Sequence, residues 1–289
     1  MGHCGLFVGL TTLDLIYGVA HLPQSNEKQT AADLAIAAGG PATNAAVTFR
    51  HLGNQAKLMS AVGQHPLTGL VRADLATQQV ELVDLAPDRI DPLPLSSIMV
   101  TAKTGDRAVV SRNAMNLQSE VHQIPPNVLQ GVDIVLIDGH QLEVSVAIAQ
   151  AAQRRKIPVV LDGGSWKPGL EKVLPFIDYA VCSANFVPPK SVWQDELVEY
   201  LRAVASPDIA ITQGGEPIVY LTQTQLGEIP VPTIQPVDTL GAGDIFHGAF
   251  CHWILHTDFV TALAKASDVA ALACQSFGTR QWLLDHSPN

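Results

Sequence analysis

This chain lacks a basic surplus. Its 289 residues carry 17 Lys and Arg against 27 Asp and Glu, a net charge of -10. That excludes a broad electropositive face for nucleic acid or an anionic membrane. Charge of either sign is sparse, 15% against 47% hydrophobic residues, which describes a well-cored globular chain and not a disordered one. The four cysteines, Cys4, Cys182, Cys251 and Cys274, are too scattered for a CxxC metal knuckle or a disulfide framework. They are expected to be buried thiols. No apolar run approaches the roughly 20 residues that cross a bilayer. The apolar start has no basic stretch, and Leu6 stands where a myristoylation motif needs Ser or Thr. A soluble, cytoplasmic protein is expected. Several nucleotide and hydrolase signatures are missing too. Without G-x-x-x-x-G-K-[ST] there is no P-loop. Without the third dinucleotide-type glycine a Rossmann dehydrogenase is disfavoured, and no G-x-S-x-G elbow occurs. No linker, internal repeat or low-complexity tract divides the chain.

What is present is an alternation of short apolar runs and helical patterns. Leu6–Leu10 is a continuous apolar run, as in a strand buried on both faces. Asp14 follows in a polar cluster, either facing a ligand or serving as a turn acid. Residues 15–38 fit short strands of a small appended sheet, together with the β-like runs Ser97–Thr101 and Ala108–Val110 around a Lys103–Arg107 hairpin turn. Further core strands are expected at Lys57–Gly63, Val132–Asp138, Pro158–Asp162, Tyr179–Asn185 and Ile209–Thr212, with an outer hairpin across Pro217–Pro232. Helices are expected from Asn44 to Leu52, over Pro66–Gln79 with Leu67, Leu70, Val71 and Leu75 inward, over 142–155, and near Asp195–Val204. They dominate from Asp244 to Phe277. From about residue 46 onward this alternation predicts a mostly parallel sheet covered on both faces. Asp14, Asp138, Asp162-Gly163-Gly164, Asn185 and Thr212-Gln213-Gly214 would then share one sheet edge.

Two stretches carry most of the chemistry. In Asp238-Thr-Leu-Gly-Ala-Gly-Asp244, a glycine turn precedes a helix whose apolar residues Ile245, Phe246, Ala249, Phe250, Trp253 and Ile254 share one face. Amides at such a helix start bind anions without a basic side chain. Asp244 stands beside them as the candidate base, with a pKa expected to be lowered by its position. In Gly39-Gly40-Pro41-Ala42-Thr43-Asn44, paired glycines allow close backbone approach, and Asn44 offers donor and acceptor to a hydroxyl. The turn reads almost as well as a plain helix entry. His247, His252 and His256 lack the Glu of H-E-x-x-H and are read as surface or cleft-lining residues.

The first stretch, with Phe246 and Gly248-Ala249, resembles the C-terminal signature of the ribokinase-like (PfkB) carbohydrate kinases. Gly39–Asn44 resembles their N-terminal signature, and Ile211-Thr212-Gln-Gly214 their nucleotide-site strand. The Asp238–Asp244 wording, Asp138-Gly139-His140 and Asp162–Pro168 look most like ketohexokinase, fructokinase and sulfofructose-kinase-like members. The resemblance spans nearly the whole chain. It implies one kinase domain over 1–289, a three-layer α/β/α core with a mostly parallel sheet, and a discontinuous β-sheet lid at roughly 11–38 and 96–112. It implies ATP-dependent phosphorylation of a sugar hydroxymethyl. Asp244 would be the base, and the amides of Gly241, Ala242 and Gly243 the anion hole. Asp14, Gly39, Gly40, Asn44, Asp138 and His140 would face sugar, while Asn185, Thr212, Gly214, Gly215 and Cys274 would lie along ATP. Mg2+ is implied with ATP, K+ beside Asp238 and Gly278, and a homodimer through the lid. Asn185-Phe-Val-Pro188 lacks the Glu of the family's Asn-x-x-Glu, and His140 stands where sulfofructose-type relatives carry a cation. A neutral ketose is therefore the expected substrate. A nucleoside kinase of the same superfamily and a catalytically silent sugar- or nucleotide-binding regulator are the alternatives.

Overall fold

The computed structural model describes residues 2–101, 107–112, 118–189, 194–204 and 208–285. The strands, in chain order, are β1 (Cys4–Val8), β2 (Thr12–Val19), β3 (Asp33–Gly39), β4 (Gln55–Ser60), β5 (Glu81–Asp84), β6 (Leu95–Thr101), β7 (Arg107–Arg112), β8 (Ile134–Ile137), β9 (Val159–Gly163), β10 (Tyr179–Ser183), β11 (Asp208–Gln213), β12 (Glu216–Leu221) and β13 (Leu226–Ile229). The helices are α1 (Pro41–His51), α2 (Thr68–Thr77), α3 (Leu142–Arg154), α4 (Gln194–Val204), α5 (Ala242–Ile254), α6 (Phe259–Ala273) and α7 (Gln281–Asp285).

The large sheet runs β13-β12-β11-β10-β9-β8-β1-β4-β5. From β11 to β5 every neighbour pair is parallel, and β12 and β13 close one edge as an antiparallel hairpin. Its alternating side chains divide the core in two. Phe7, Leu58, Leu136, Val160, Val181 and Ala210 pack with α1, α2, α5, α6 and α7 on one face. Leu6, Val8, Met59, Ile137, Leu161, Cys182 and Ile211 pack with α3 and α4 on the other. This is the three-layer arrangement expected, and it explains why the strands read as continuous apolar runs.

The second sheet, β3-β2-β6-β7, is built from the two separated segments the sequence pointed to. Met99 pairs with Ala108 across β6 and β7. The turn between them, with Lys103, lies outside the described residues. One face of this sheet, with Ile16, Ile98 and Val100, packs on Leu240 and Phe277 next to the entry of α5.

Several boundaries and faces differ from expectation. α2 begins at Thr68, and Leu70 is 47% exposed because the buried side of the helix carries Thr68, Val71 and Leu75. The edge strand β5 and the short α7 went unread, since four or five residues give too little periodicity. The central turns of α5 are buried all round, His247, Gly248 and Cys251 included, because α1 and α6 press on it from two sides. No helix among the described residues is long and apolar enough to cross a membrane.

The tightest of these contacts is glycine against backbone. A Cβ on Gly248 would stand 2.3 Å from Ala45 O and 2.7 Å from Thr48 Cβ. Gly248→Ala should therefore push α5 from α1 and cost about 1–3 kcal/mol as overpacking. Urea denaturation measures this, and an unchanged midpoint would mean the helices do not meet so closely.

Candidate active site

The parallel strands β1, β8, β9, β10 and β11 end on one edge, and the chain leaves β1 and β8 in opposite directions there. Such a switch point leaves a crevice beyond the strand ends. Into it come the starts of α1 and α5, with the Gly39-Gly40 turn delivered by β3. Because those helices pack so closely, Asn44 Nδ2 donates to Asp244 Oδ2 at 2.9 Å across 200 residues of sequence. Gly241 caps α5 in the left-handed region, with φ 70. A Cβ on it would stand 3.0 Å from Thr279 Cγ2 and 3.3 Å from Asn44 Nδ2, so glycine is required there. The first amides of a helix have no acceptor within it, although that of Ala242 leans on Thr239 O at 3.3 Å. Gly243, Gly214 and Gly215 border open space, with no atom within 4 Å of where a Cβ would be.

The acid positions differ from one another. Asp14 lies within β2, not in a turn, and accepts from Thr12 Oγ1 at 2.7 Å. Burial pushes its carboxyl up, while hydrogen bonds from Thr12 and Ser96 and the charge of Arg280 oppose this. Gly39 is needed beside it, since a Cβ there would lie 1.9 Å from Asp14 Oδ2. Asp138 gives its oxygens to backbone: Oδ2 accepts from Leu10 N at 2.8 Å and Ala42 N at 3.2 Å, and Oδ1 from His140 N at 2.9 Å. It thus ties β8 to the end of β1 and the start of α1. Burial, with Lys167 nearby, holds the His140 ring below its ordinary 6.5 despite Asp138, so above that pH it is a neutral donor–acceptor.

Behind Asp244, Asp162 and His247 form a buried pair, 3.5 Å between Oδ2 and Nδ1. His247 is 4% exposed, which corrects the surface or cleft-lining reading. Its Nδ1 faces Gly243 O at 2.6 Å and its Nε2 faces Val181 O at 3.0 Å. Both ring nitrogens thus face carbonyls, which only accept, while burial pushes the Asp162 carboxyl up and the nearby His247 opposes this. By contrast, His252 is held by Asn54 at 2.8 Å beside the ring of His256. No metal-holding group of three or more His, Cys, Asp or Glu occurs among the described residues.

At the other end of the crevice, Thr212 lies in the last residues of β11, paired with Ser183 of β10, and Asn185, Gly214 and Gly215 follow the ends of these two strands. Asp238 Oδ1 accepts from Leu240 N and Oδ2 from Gly278 N, both at 2.9 Å. Cys274 is buried behind them; burial and Asp238 push its thiol up to about 11, and its carbonyl takes the amides of Val237 and Asp238. The sequence reading missed Arg280 and Asp74. Arg280 donates to Asn44 Oδ1 at 3.0 Å and pairs with Asp74 at 3.2 Å. No local spacing signals a residue whose partners lie 236 and 206 positions away.

The electrostatics of Asp244 reverse the expected direction. Burial, reinforced by Asp162, pushes its carboxyl up to about 7, against the hydrogen bond from Asn44 and the charge of His247. Desolvation beside other acids outweighs the helix start.

Residues 6–285 match the pfkB family carbohydrate kinase model. The chain belongs to that family. It is a phosphotransferase acting on an alcohol group, an ATP-dependent sugar kinase of ribokinase type. Among similar proteins, a ribokinase of Lactococcus lactis is 23% identical over 278 residues, covering 94% of this chain and 91% of the relative. A deoxyribokinase of Salmonella typhi is 24% identical, covering 94% and 93%. The solved structure of a candidate ribokinase from Agrobacterium tumefaciens superposes with a TM-score of 0.87 at 25% identity, covering 98% of this chain and 94% of that one.

The raised pKa has a stability consequence in this kinase. The unfolded chain releases the Asp244 proton near the ordinary 3.8 and the folded one near about 7, so its contribution to stability is complete below the first value and lost as pH climbs through the second. Asp244→Asn escapes that loss. Its gain in Tm over the wild type should be larger at pH 8 than at pH 5 by thermal melts, and an equal gain at both would contradict the raised value.

Proposed function

We propose that this kinase transfers the γ-phosphoryl group of ATP to the hydroxymethyl of a neutral sugar, a ketose such as fructose being the leading candidate. The observation that carries this is the Asn44–Asp244 contact in front of the first amides of α5. One acid, held in place, stands beside an anion-binding helix start. Asp244 takes the hydroxyl proton, and a pKa of about 7 suits a base at neutral pH. Phosphoryl transfer through a loose transition state needs that proton removed late, so placement counts as much as basicity. The amides of Gly241, Ala242 and Gly243 meet the charge that develops on the transferred group, where losing one donor costs on the order of 3 kcal/mol of barrier.

Asp14, Gly39, Gly40, Asn44 and His140 border the sugar, with Asp138 fixing the backbone around it. ATP lies along Asn185, Thr212, Gly214 and Gly215, with Cys274 behind. Mg2+ comes with the phosphates, in keeping with an ion held mainly by substrate oxygens. Neutral substrate chemistry is supported by the committed arginines. Arg107 donates to Thr239, Arg112 to Pro92 O, and Arg280 to protein acceptors. Lys167, set against Asp162, is a cation near His140 among the described residues.

The second sheet acts as the lid in this reading, excluding water that would otherwise hydrolyse ATP. Its outer row Ile36, Leu15, Ser97 and Val110 is apolar but for one hydroxyl, with Ile36 48% and Val110 69% exposed. Two copies pair through it. Light scattering should give a dimer for the wild type and a monomer for Ile36→Glu/Val110→Glu; a wild-type monomer contradicts the pairing.

The decisive assay is ADP release with Mg2+ against fructose, other ketoses, ribose, adenosine and sulfofructose, with and without K+ for the Asp238–Gly278 turn. A neutral sugar should stimulate most, and Asp244→Asn should bind ATP yet release no ADP with it. Adenosine as the best acceptor would make this a nucleoside kinase. Normal turnover in Asp244→Asn would remove the base, and ATP binding without any acceptor-dependent turnover would favour a silent regulator.

A further inference from the structure

Arg280, just ahead of α7, is a cation committed wholly to protein. Its side chain is 16% exposed and that of its partner Asp74, on α2, 15%. Nε and Nη2 both donate to Asp74 Oδ2 at 3.2 Å, and Nη2 also donates to Ala38 O at 2.5 Å. Nη1 donates to Asn44 Oδ1 at 3.0 Å and to Thr279 O and Oγ1 at 3.1 and 3.2 Å. The five N–H groups of a guanidinium are thereby used, with none left for substrate. Asp74 Oδ2 in turn accepts from Ala38 N at 2.9 Å. The ion pair therefore grips both backbone groups of Ala38, the residue before Gly39-Gly40.

The consequence for Asn44 is chemical. An amide side chain can turn either end toward a neighbour, and the two orientations occupy nearly the same space. A guanidinium only donates, so the end facing Arg280 must be Oδ1. That leaves Nδ2, and its hydrogens, for Asp244. The flipped amide would set an oxygen against the carboxylate and two donors against the cation.

We propose that the Asp74–Arg280 pair is a positioning device for the base, holding the Asn44 amide with its nitrogen toward Asp244 and its turn in place through Ala38. The mechanistic meaning of this rests on the reading of Asp244 as base. Arg280 touches no reacting atom and acts through Asn44. The other charged groups that act on Asp244 are Asp162, Asp138 and His247, and none of them contacts Arg280.

The test reads the carboxylate itself and needs no substrate. In the full chain labelled with 13C at aspartate carboxyls, the Asp244 signal is assigned by its loss in Asp244→Asn and followed against pH. Asn44→Ala and Arg280→Met should each raise its midpoint by about one unit, the worth of a hydrogen bond to a charged group. Arg280→Met should add nothing in the Asn44→Ala background. If Arg280→Met leaves Asp74 unpaired and fails to fold, Arg280→Met/Asp74→Asn removes both charges together. An unmoved midpoint in the folded variant, or an equal further shift without Asn44, overturns the proposal. If Asp244→Asn is inactive while that midpoint stays put, only this inference fails; if Asp244→Asn turns over normally, the base reading fails instead.

Discussion

The hydrogen bond between Asn44 and Asp244 depends on how closely two helices can approach, and the rest of the site depends on that bond. α1 and α5 start from opposite halves of the chain and meet over glycine, where Gly248 rests on Ala45 O. With a bulkier residue at the contact the two helix starts would separate. The Gly39-Gly40 turn would then lose its register with Asp244 and the first amides of α5. Packing of small residues in one layer thus sets distances of hydrogen-bond precision at the end of the sheet.

The same crowding sets the electrostatics. A helix start favours a carboxylate, yet Asp244 sits among Asp162 and Asp138 in a poorly solvated crevice, and burial wins. The buried His247 relieves part of this, with its two nitrogens on the carbonyls of Gly243 and Val181. In a chain of net charge -10, phosphate groups must be met by local dipoles and a few cations. Gly214, Gly215 and Gly243 border open space there, and in the proposed reading that is where the backbone comes close to them.

Much of this was legible in the sequence because it is written locally. The Gly39–Asn44 and Asp238–Asp244 stretches combine turn glycines, one polar residue and the start of a helix, and the β/α alternation fixes which sheet edge they share. The small sheet was readable from short strands in two separated segments. Arg280 and Asp74 were not, since an isolated charge near the C-terminus looks like surface until the fold brings Asn44 and Ala38 to it. His247 was misread for a related reason. Its helix was given one buried face, whereas α6 and the sheet enclose the other side. That Asp138 also takes three backbone amides was not legible, because Leu10, Ala42 and His140 come to it only in the fold.

The central claim is that sugar, acid and helix start converge on one reacting oxygen. A crystal structure with the accepted sugar, Mg2+ and a non-hydrolysable ATP analogue tests it most directly. The account predicts the hydroxymethyl oxygen within hydrogen-bond reach of Asp244 and the terminal phosphate on the amides of Gly241–Gly243. A sugar bound with no hydroxyl at Asp244, or a terminal phosphate held away from that helix start, would contradict it.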